Sequence, residues 1–237
     1  MLLCKIADLF VSVPTAGGLS SRCAEYVWPS EAKTDIVIHP ELYRTEKYDP
    51  RLPENTVPYM ESAYQFCRAL IGFEGFYLHS SAVEVDGKAY LFSGPCGMGK
   101  STHTRIWQQV FGEKAQVFND DKPALRLIDG RWYAYGTPWC GKDGININMK
   151  VPLAGICFLK QAPNNRIRRL DSMEAFSMFM TQTLRKELTA EEMAALLQTT
   201  DHLIREIPIF ELENRPEPAA AQLSYETMRR AAEEAGL

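Results

Sequence analysis

Apolar and polar positions along the 237-residue chain follow two periods, one of strands and one of helices, and together they predict a mixed α/β fold. In residues 1–48, short apolar runs such as Leu9-Phe10-Val11 and Ile36-Val37-Ile38 stand between breaks at Pro14 and Gly17-Gly18, the pattern of a small β-rich region. Pro50, Pro53 and Pro58 then crowd a stretch that reads as a connector, because prolines so close together interrupt a regular helix. Met60, Ala63, Tyr64, Cys67, Leu70 and Ile71 share one face at helical spacing, which predicts an amphipathic helix over 60–71.

Residues 76–85 read as one strand, Asp86-Gly87 as a hairpin turn and 88–93 as the returning strand. A glycine-rich stretch leads into a helix over 102–110 and a strand over 115–118. The pair 123–128 and 131–135 flanks a second turn signal, Asp129-Gly130. A buried strand is expected over 151–159, helices over 171–186 and 189–204, a strand over 207–212, and a last helix over 218–235 with Pro216 and Pro218 near its start. The boundary this implies sets a small region and connector, 1–58, before an α/β domain, 59–237.

Composition narrows the function classes. Lys plus Arg number 26 against 30 for Asp plus Glu, and 26 − 30 leaves a formal charge of −4, so no surface built to hold a polyanion is expected and nucleic acid is not a partner. The six cysteines form no C-x-x-C pair, which argues against a structural zinc site and for reduced thiols. The first residues lack a basic segment followed by an apolar one, and no apolar run approaches the length of a membrane span. A soluble cytoplasmic protein with no membrane partner is the expectation.

The chemistry concentrates after the first hairpin. Gly94-Pro95-Cys96-Gly97-Met98-Gly99-Lys100-Ser101 fits G-x-x-x-x-G-K-[ST], the P-loop or Walker A pattern, and lies between an expected strand and an expected helix. Glycines let the backbone curl so that amide N–H groups face inward, and the following helix offers its positive end to the same anion. Lys100 would reach the outer phosphates of ATP, Ser101 would complete a Mg²⁺ shell, and Thr102 would add a hydroxyl to an inner phosphate. Cys96 sits among these amides, as a small inert side chain or as a thiol of lowered pKa. Asn119-Asp120-Asp121 ends the next strand, where one acid could hold the metal and the other accept a proton, although Asp-Asp before Lys122-Pro123 is also ordinary turn chemistry. His79 stands in an apolar strand, where a hydrogen-bonded core role is the plainer reading. In the loop 136–144, Trp139 and Lys142 are either a nucleotide or acceptor pocket or a structural turn with a buried indole. Arg166, Arg168 and Arg169 read as a solvated face.

The run Leu78-His79-Ser80-Ser81-Ala82-Val83, Gly87, Leu91-Phe92-Ser93-Gly94 through Ser101, and Asn119-Asp120-Asp121 resembles the catalytic core of the bacterial HPr serine kinase/phosphorylase family, whose fold is related to phosphoenolpyruvate carboxykinase. The resemblance covers residues 76–123. It implies an α/β P-loop domain with a mixed sheet and hairpins behind the small β-rich region. It also implies ATP and Mg as cofactors, a serine-type hydroxyl on a protein, peptide or small molecule as acceptor, and self-association. By position it implies Lys100 and Ser101 at phosphate and Mg²⁺, Asp120 as acceptor of the hydroxyl proton, Asp121 at the metal and His79 near the transferred phosphoryl. The family's later Glu-x-Arg-Gly signature is missing, and 1–58 is short for its separate N-terminal domain. Both departures point to a smaller relative with a different acceptor. The rival expectations are a non-catalytic ATP-binding sensor and carboxykinase-like phosphoryl transfer.

Overall fold

The computed structural model describes residues 1–15 and 18–237; Gly17 of the expected break lies outside the described residues. Its architecture is mixed α/β, with a small N-terminal sheet and a larger curled one. In the small sheet, β1 (Leu2–Ile6) and β2 (Leu9–Val13) form a hairpin, and the short β3 (Ile36–Val37) pairs parallel to β2. The hairpin turns at Ala7 and Asp8, both at positive φ without a glycine. Contacts from the larger sheet hold that turn. Arg126 donates to the Ala7 carbonyl (2.7 Å), and the Tyr135 hydroxyl and Lys150 ammonium donate to the Asp8 carboxylate (2.8 and 2.7 Å).

The larger sheet is best understood as two sheets that share one long strand, β10 (Lys150–Gln161). The first half of β10 pairs antiparallel with β9 (Arg131–Tyr135), which continues to β8 (Ala124–Ile128) and β4 (Gly75–Tyr77). Its second half pairs parallel with β6 (Lys88–Ser93) and with β12 (Ile209–Asn214). Beyond β6 lie β5 (Ser80–Val85) and β7 (Ala115–Asp121), each antiparallel to its neighbour, and beyond β12 lies β11 (Arg166–Arg169). Because β5 runs opposite to both β6 and β7, those two strands run the same way and end on one edge. The expected strand over 76–85 is therefore two strands, in different sheets, with Leu78 and His79 at the crossing.

Helices cover the sheets. They are α1 (Leu19–Arg22), α2 (Thr56–Ala69), α3 (Lys100–Phe111), α4 (Ser172–Gln182), α5 (Ala190–Glu206) and α6 (Pro218–Glu234). Among the described residues, no helix is long and apolar enough to cross a membrane. α2 starts two residues before Pro58, which its first turn accommodates because that N–H has no intrahelical partner. Both α4 and α5 open with a capping box, Asp171 with Glu174 and Thr189 with Glu192. α3, through Trp107, and α6 pack over the face carrying Tyr90 and Phe92, whereas α4, through Phe179, and α5 close the face carrying Phe76 and Phe158. A third cluster joins the small sheet to α2 and to Ala124, Tyr135 and Trp139, so residues 1–58 share their core with the α/β domain.

One buried charge fastens the segment after β3 to α2. Glu61 is 1 % exposed and accepts from Arg44 Nε and Nη2 at 3.0 Å each and from the Tyr48 hydroxyl at 2.6 Å. Burial pushes this carboxyl upward, and the hydrogen bonds from Arg44 and Tyr48 outweigh it, so Glu61 stays below its ordinary range. Arg44→Ala would leave the carboxylate buried without its cation and is expected to cost about 3 kcal/mol in urea unfolding. A loss under about 0.5 kcal/mol, the size of an exposed pair, would show that the ion pair does not hold the segment.

Candidate functional site

Three chain segments meet at the edge where β6 and β7 end. Register fixes the meeting: Ser80 of β5 lies opposite both Ser93 of β6 and Asp121 of β7, and Ser81 lies opposite Asp120. β6 leads from Ser93 into the Gly94–Ser101 loop and then α3, while β5 is entered from His79. The acids, expected at the end of this strand, are the last residues of β7 itself. β7 is thus parallel to β6 in direction but one strand removed from it.

The loop bends through Gly94, Gly97 and Gly99 at φ 147, 80 and 97°, backbone that side chains rarely adopt. Lys100 folds back into its bowl, with Nζ donating to the carbonyls of Gly94 (2.8 Å) and Pro95 (3.1 Å). Burial lowers the Lys100 pKa, opposed by the nearby charges of Asp121 and Asp120. Ser101 Oγ donates to Asp120 Oδ1 at 3.0 Å. Behind this pair, Ser81 Oγ and Thr104 Oγ1 lie 2.8 Å apart and tie α3 to β5, and the Gly141 N–H donates to the Asp120 carbonyl at 2.6 Å.

Asp121 is held differently. Its backbone is at φ 106°, a conformation costing roughly 1–3 kcal/mol for a residue with a Cβ, and such strain concentrates where geometry is functional. Its Oδ1 lies 3.3 Å from His79 Nε2, and Oδ2 pairs with the Lys122 ammonium. Burial raises this carboxyl, but the His79 hydrogen bond and the Lys122 charge prevail and hold it at about 2, below the ordinary 3.8. A depressed carboxyl contributes stability that is complete above its unfolded value and disappears as pH falls through its folded value. Unfolding of wild type against Asp121→Asn is therefore expected to show a stability difference that shrinks by about 2 kcal/mol between about pH 4 and about pH 2. A difference that stays constant over that window would mean that Asp121 is not held in this ion pair.

Among the expected site residues, Cys96, Gly97, Gly99, Lys100, Ser101 and Thr102 line one cavity of about 410 Å³ together with His79, Asp120, Asp121 and Lys142. Gly94 and Pro95 supply the carbonyls that hold Lys100. Met98 instead borders a second cavity of about 610 Å³, which shares Gly97, Gly99 and Thr102 with the first and extends to Gln161, Asn214 and Arg215 at the ends of β10 and β12. Cys96 is exposed at the rim. For the loop 136–144 the two open readings divide between its residues. Trp139 is fully buried, stacked on Phe66 at 4.7 Å and donating from Nε1 to Ser62 Oγ at 3.0 Å, so it forms no part of a pocket, whereas Lys142 of the same loop does. The carboxylate beside the Ser101 hydroxyl is that of Asp120, while Asp121 faces His79 and Lys122.

Gly141 and Asp143 of the loop 136–144 also line the cavity, Asp143 paired with Arg105, and two residues reach the site without any local signal: Lys122 beside Asp121, and Gln182 at the end of α4, whose Oε1 lies 3.1 Å from His79 Nδ1. Arg166–Arg169 forms β11, where Arg168 pairs with Glu174 and Glu211, a solvated face as expected. A further cavity of about 460 Å³ between Arg44 and Arg68 is walled by ion-paired side chains and contains no residue of the site.

Among the described residues, no three His, Cys, Asp or Glu side chains cluster as a metal site. Ser101 Oγ and Asp120 Oδ1, 3.0 Å apart, nonetheless match two adjacent ligands of an octahedral Mg²⁺ with bonds of about 2.1 Å, an ion that takes few protein ligands and keeps waters and phosphate oxygens for the rest.

No protein-family model matches the chain. A curated relative, Replication factor C subunit 1 of Oryza sativa subsp. japonica, is 34 % identical over 145 residues, which is 58 % of this chain and 13 % of that protein; the chain thus spans a small fraction of the relative's length. Among solved structures, the Hpr(Ser) kinase/phosphatase from Coxiella burnetii aligns over 66 % of this chain and 98 % of that one, with a TM-score of 0.39 and 12 % identity.

Proposed function

We propose that the protein is an ATP- and Mg²⁺-dependent phosphotransferase that moves the γ-phosphate of ATP to a serine-type hydroxyl on a protein, peptide or small molecule. The observation that carries this reading is the placement of a glycine-bent loop with its lysine and serine against an Asp-Asp strand end and a histidine, all bordering one cavity. A site for nucleotide binding alone has no use for a second acid held at φ 106° beside a histidine.

The loop amides and Lys100 would bind the phosphates, with Lys100 exchanging the Gly94 and Pro95 carbonyls for phosphate oxygens. The two connected cavities give the nucleotide a direction. Its transferable end belongs with the acids in the smaller one, and its nucleoside with Gln161, Asn214 and Arg215 in the larger. Ser101 and Asp120 would hold Mg²⁺, which neutralises charge on the outer phosphates when bound. Asp121 and His79 then remain to meet the acceptor. Because phosphoryl transfer passes through a loose transition state, the principal work of this pair is to orient the hydroxyl, and a carboxylate of low pKa suffices to take its proton late. These contacts support Asp121 as the acceptor of the proton and Asp120 as the metal residue. Lys142 adds positive charge on the opposite wall.

The test is transfer of label from γ-labelled ATP, with Mg²⁺, to serine peptides, proteins and small hydroxyl compounds. Label on a hydroxyl of at least one acceptor, lost in Asp121→Asn, is the expected result. ATP binding without transfer or hydrolysis would replace this reading with that of an ATP-binding sensor.

A further inference from the structure

A separate cavity of about 220 Å³ lies behind Lys122. Its walls are mostly apolar: the rings of Tyr48, Tyr59, Tyr64 and Tyr77, with Leu184 and, exposed at the rim, Met60. Pockets that enclose a whole drug-sized ligand run to roughly 300–1,000 Å³, so this smaller slot suits one group of a larger molecule.

Four of its residues lead directly to the candidate site. Lys122 lines the slot with its stem and pairs its ammonium with the Asp121 carboxylate. Tyr77 precedes His79 by two residues, and Leu184 follows by two residues Gln182, whose Oε1 lies 3.1 Å from His79 Nδ1. The Tyr59 hydroxyl donates to the Cys140 carbonyl at 2.6 Å and accepts from the Cys140 N–H at 2.5 Å, next to Gly141 of the site cavity. The Lys122–Asp121 ion pair is therefore a partition, with the acids on one side and an aromatic slot on the other. Three of the four phenols are engaged elsewhere: Tyr48 with Glu61, Tyr59 with Cys140 and Tyr64 with Glu187. The Tyr77 hydroxyl has no hydrogen-bond partner among the described residues, and the Asp121 charge reaches it, adding to burial in raising its pKa.

We infer that this slot is an acceptor subsite, which holds a compact aromatic or branched aliphatic group of an acceptor whose hydroxyl, a few bonds away, meets Asp121 and His79. Tyr77 would offer its hydroxyl to a polar atom of the acceptor between those two groups, and the Lys122 stem would lie along the apolar one. The inference rests on the phosphotransferase reading and narrows its substrate class to a hydroxyl beside an apolar group, on a peptide or on a small alcohol.

Matched acceptors test it: single-serine peptides with leucine, phenylalanine or alanine beside the serine, and the small alcohols leucinol and alaninol, which tell the two sources apart. In wild type the larger apolar member of at least one series is expected to exceed its alanine counterpart about tenfold or more in kcat/KM, the scale on which an apolar pocket discriminates. Leu184→Trp fills the slot and should cut that advantage to about twofold or less. Met60→Trp, at the exposed rim, closes the same slot and decides the matter if a thermal melt shows that Leu184→Trp does not fold. Equal or lower kcat/KM for the apolar members in wild type, or an advantage that survives the substitution, would overturn the inference. Binding is read independently of transfer: benzyl alcohol should give a saturable shift of the Met60 methyl NMR signal in wild type, lost in Leu184→Trp. If wild type transfers phosphate to no acceptor, the function reading fails and this titration alone decides whether the slot takes an apolar group, which a shift that does not saturate would refute.

Discussion

Lys100→Ala is expected to weaken Mg-ATP binding by roughly a hundredfold or more and to remove phosphoryl transfer, while the protein stays folded. The side chain is 8 % exposed and already rests against the carbonyls of Gly94 and Pro95, so its ammonium is delivered to the bowl of the loop before any ligand arrives. Hydrogen bonds to charged groups contribute about 1.5–3 kcal/mol each, and about 1.4 kcal/mol is tenfold in affinity, so loss of one or two contacts to phosphate accounts for the expected change. The fold should survive because burial opposes the charged lysine there, as its lowered pKa shows, and alanine is a good helix former at the start of α3. Isothermal calorimetry with a parallel thermal melt separates the two effects. Equal affinity in variant and wild type would mean that the loop does not bind phosphate.

Asp120→Asn should act on turnover more than on binding. Asparagine keeps the shape and an oxygen that can still accept from Ser101, so the β7 edge and its Gly141 contact remain. What is lost is the negative charge opposite the Ser101 hydroxyl. A fall in kcat of about 10³-fold is expected, the scale on which a preorganised electrostatic partner contributes to a transition state. Affinity for ATP without Mg²⁺ should hold or rise slightly, as a like charge beside the phosphates has gone. Residual activity within tenfold of wild type would exclude Asp120 from the reaction centre.

Local patterns made the Gly94–Ser101 loop, the two Asp-Gly hairpins and the strand ending in the acids legible, since each is written within a few residues. The small β-rich region was partly visible. β1 escaped because its hairpin turns at Ala7-Asp8, without the glycine that marks such turns, and is held there by Arg126, Tyr135 and Lys150 of another sheet. The apolar run over 76–85 concealed a change of sheet at His79, since each piece is buried on its own side and the hydrophobic pattern continues across the break. Trp139 illustrates the same limit: glycines and a proline around it suggest an exposed loop, but the slot between Phe66 and Ser62 that receives it is built by a helix far upstream. Asp120 and Asp121 were interchangeable in sequence, and in the structure they differ in the neighbour each faces, Ser101 for Asp120 and His79 with Lys122 for Asp121. Gln182 had no signal at all, because its contact with His79 is made by tertiary packing of α4.

Titration of ATP into the protein with and without Mg²⁺ decides whether the loop and the Asp120 edge form one Mg-nucleotide site. One nucleotide per chain, bound more tightly with Mg²⁺ in wild type and with no gain from Mg²⁺ in Asp120→Asn, is the expected outcome. Absence of ATP binding, or the same gain from Mg²⁺ in both proteins, would contradict it.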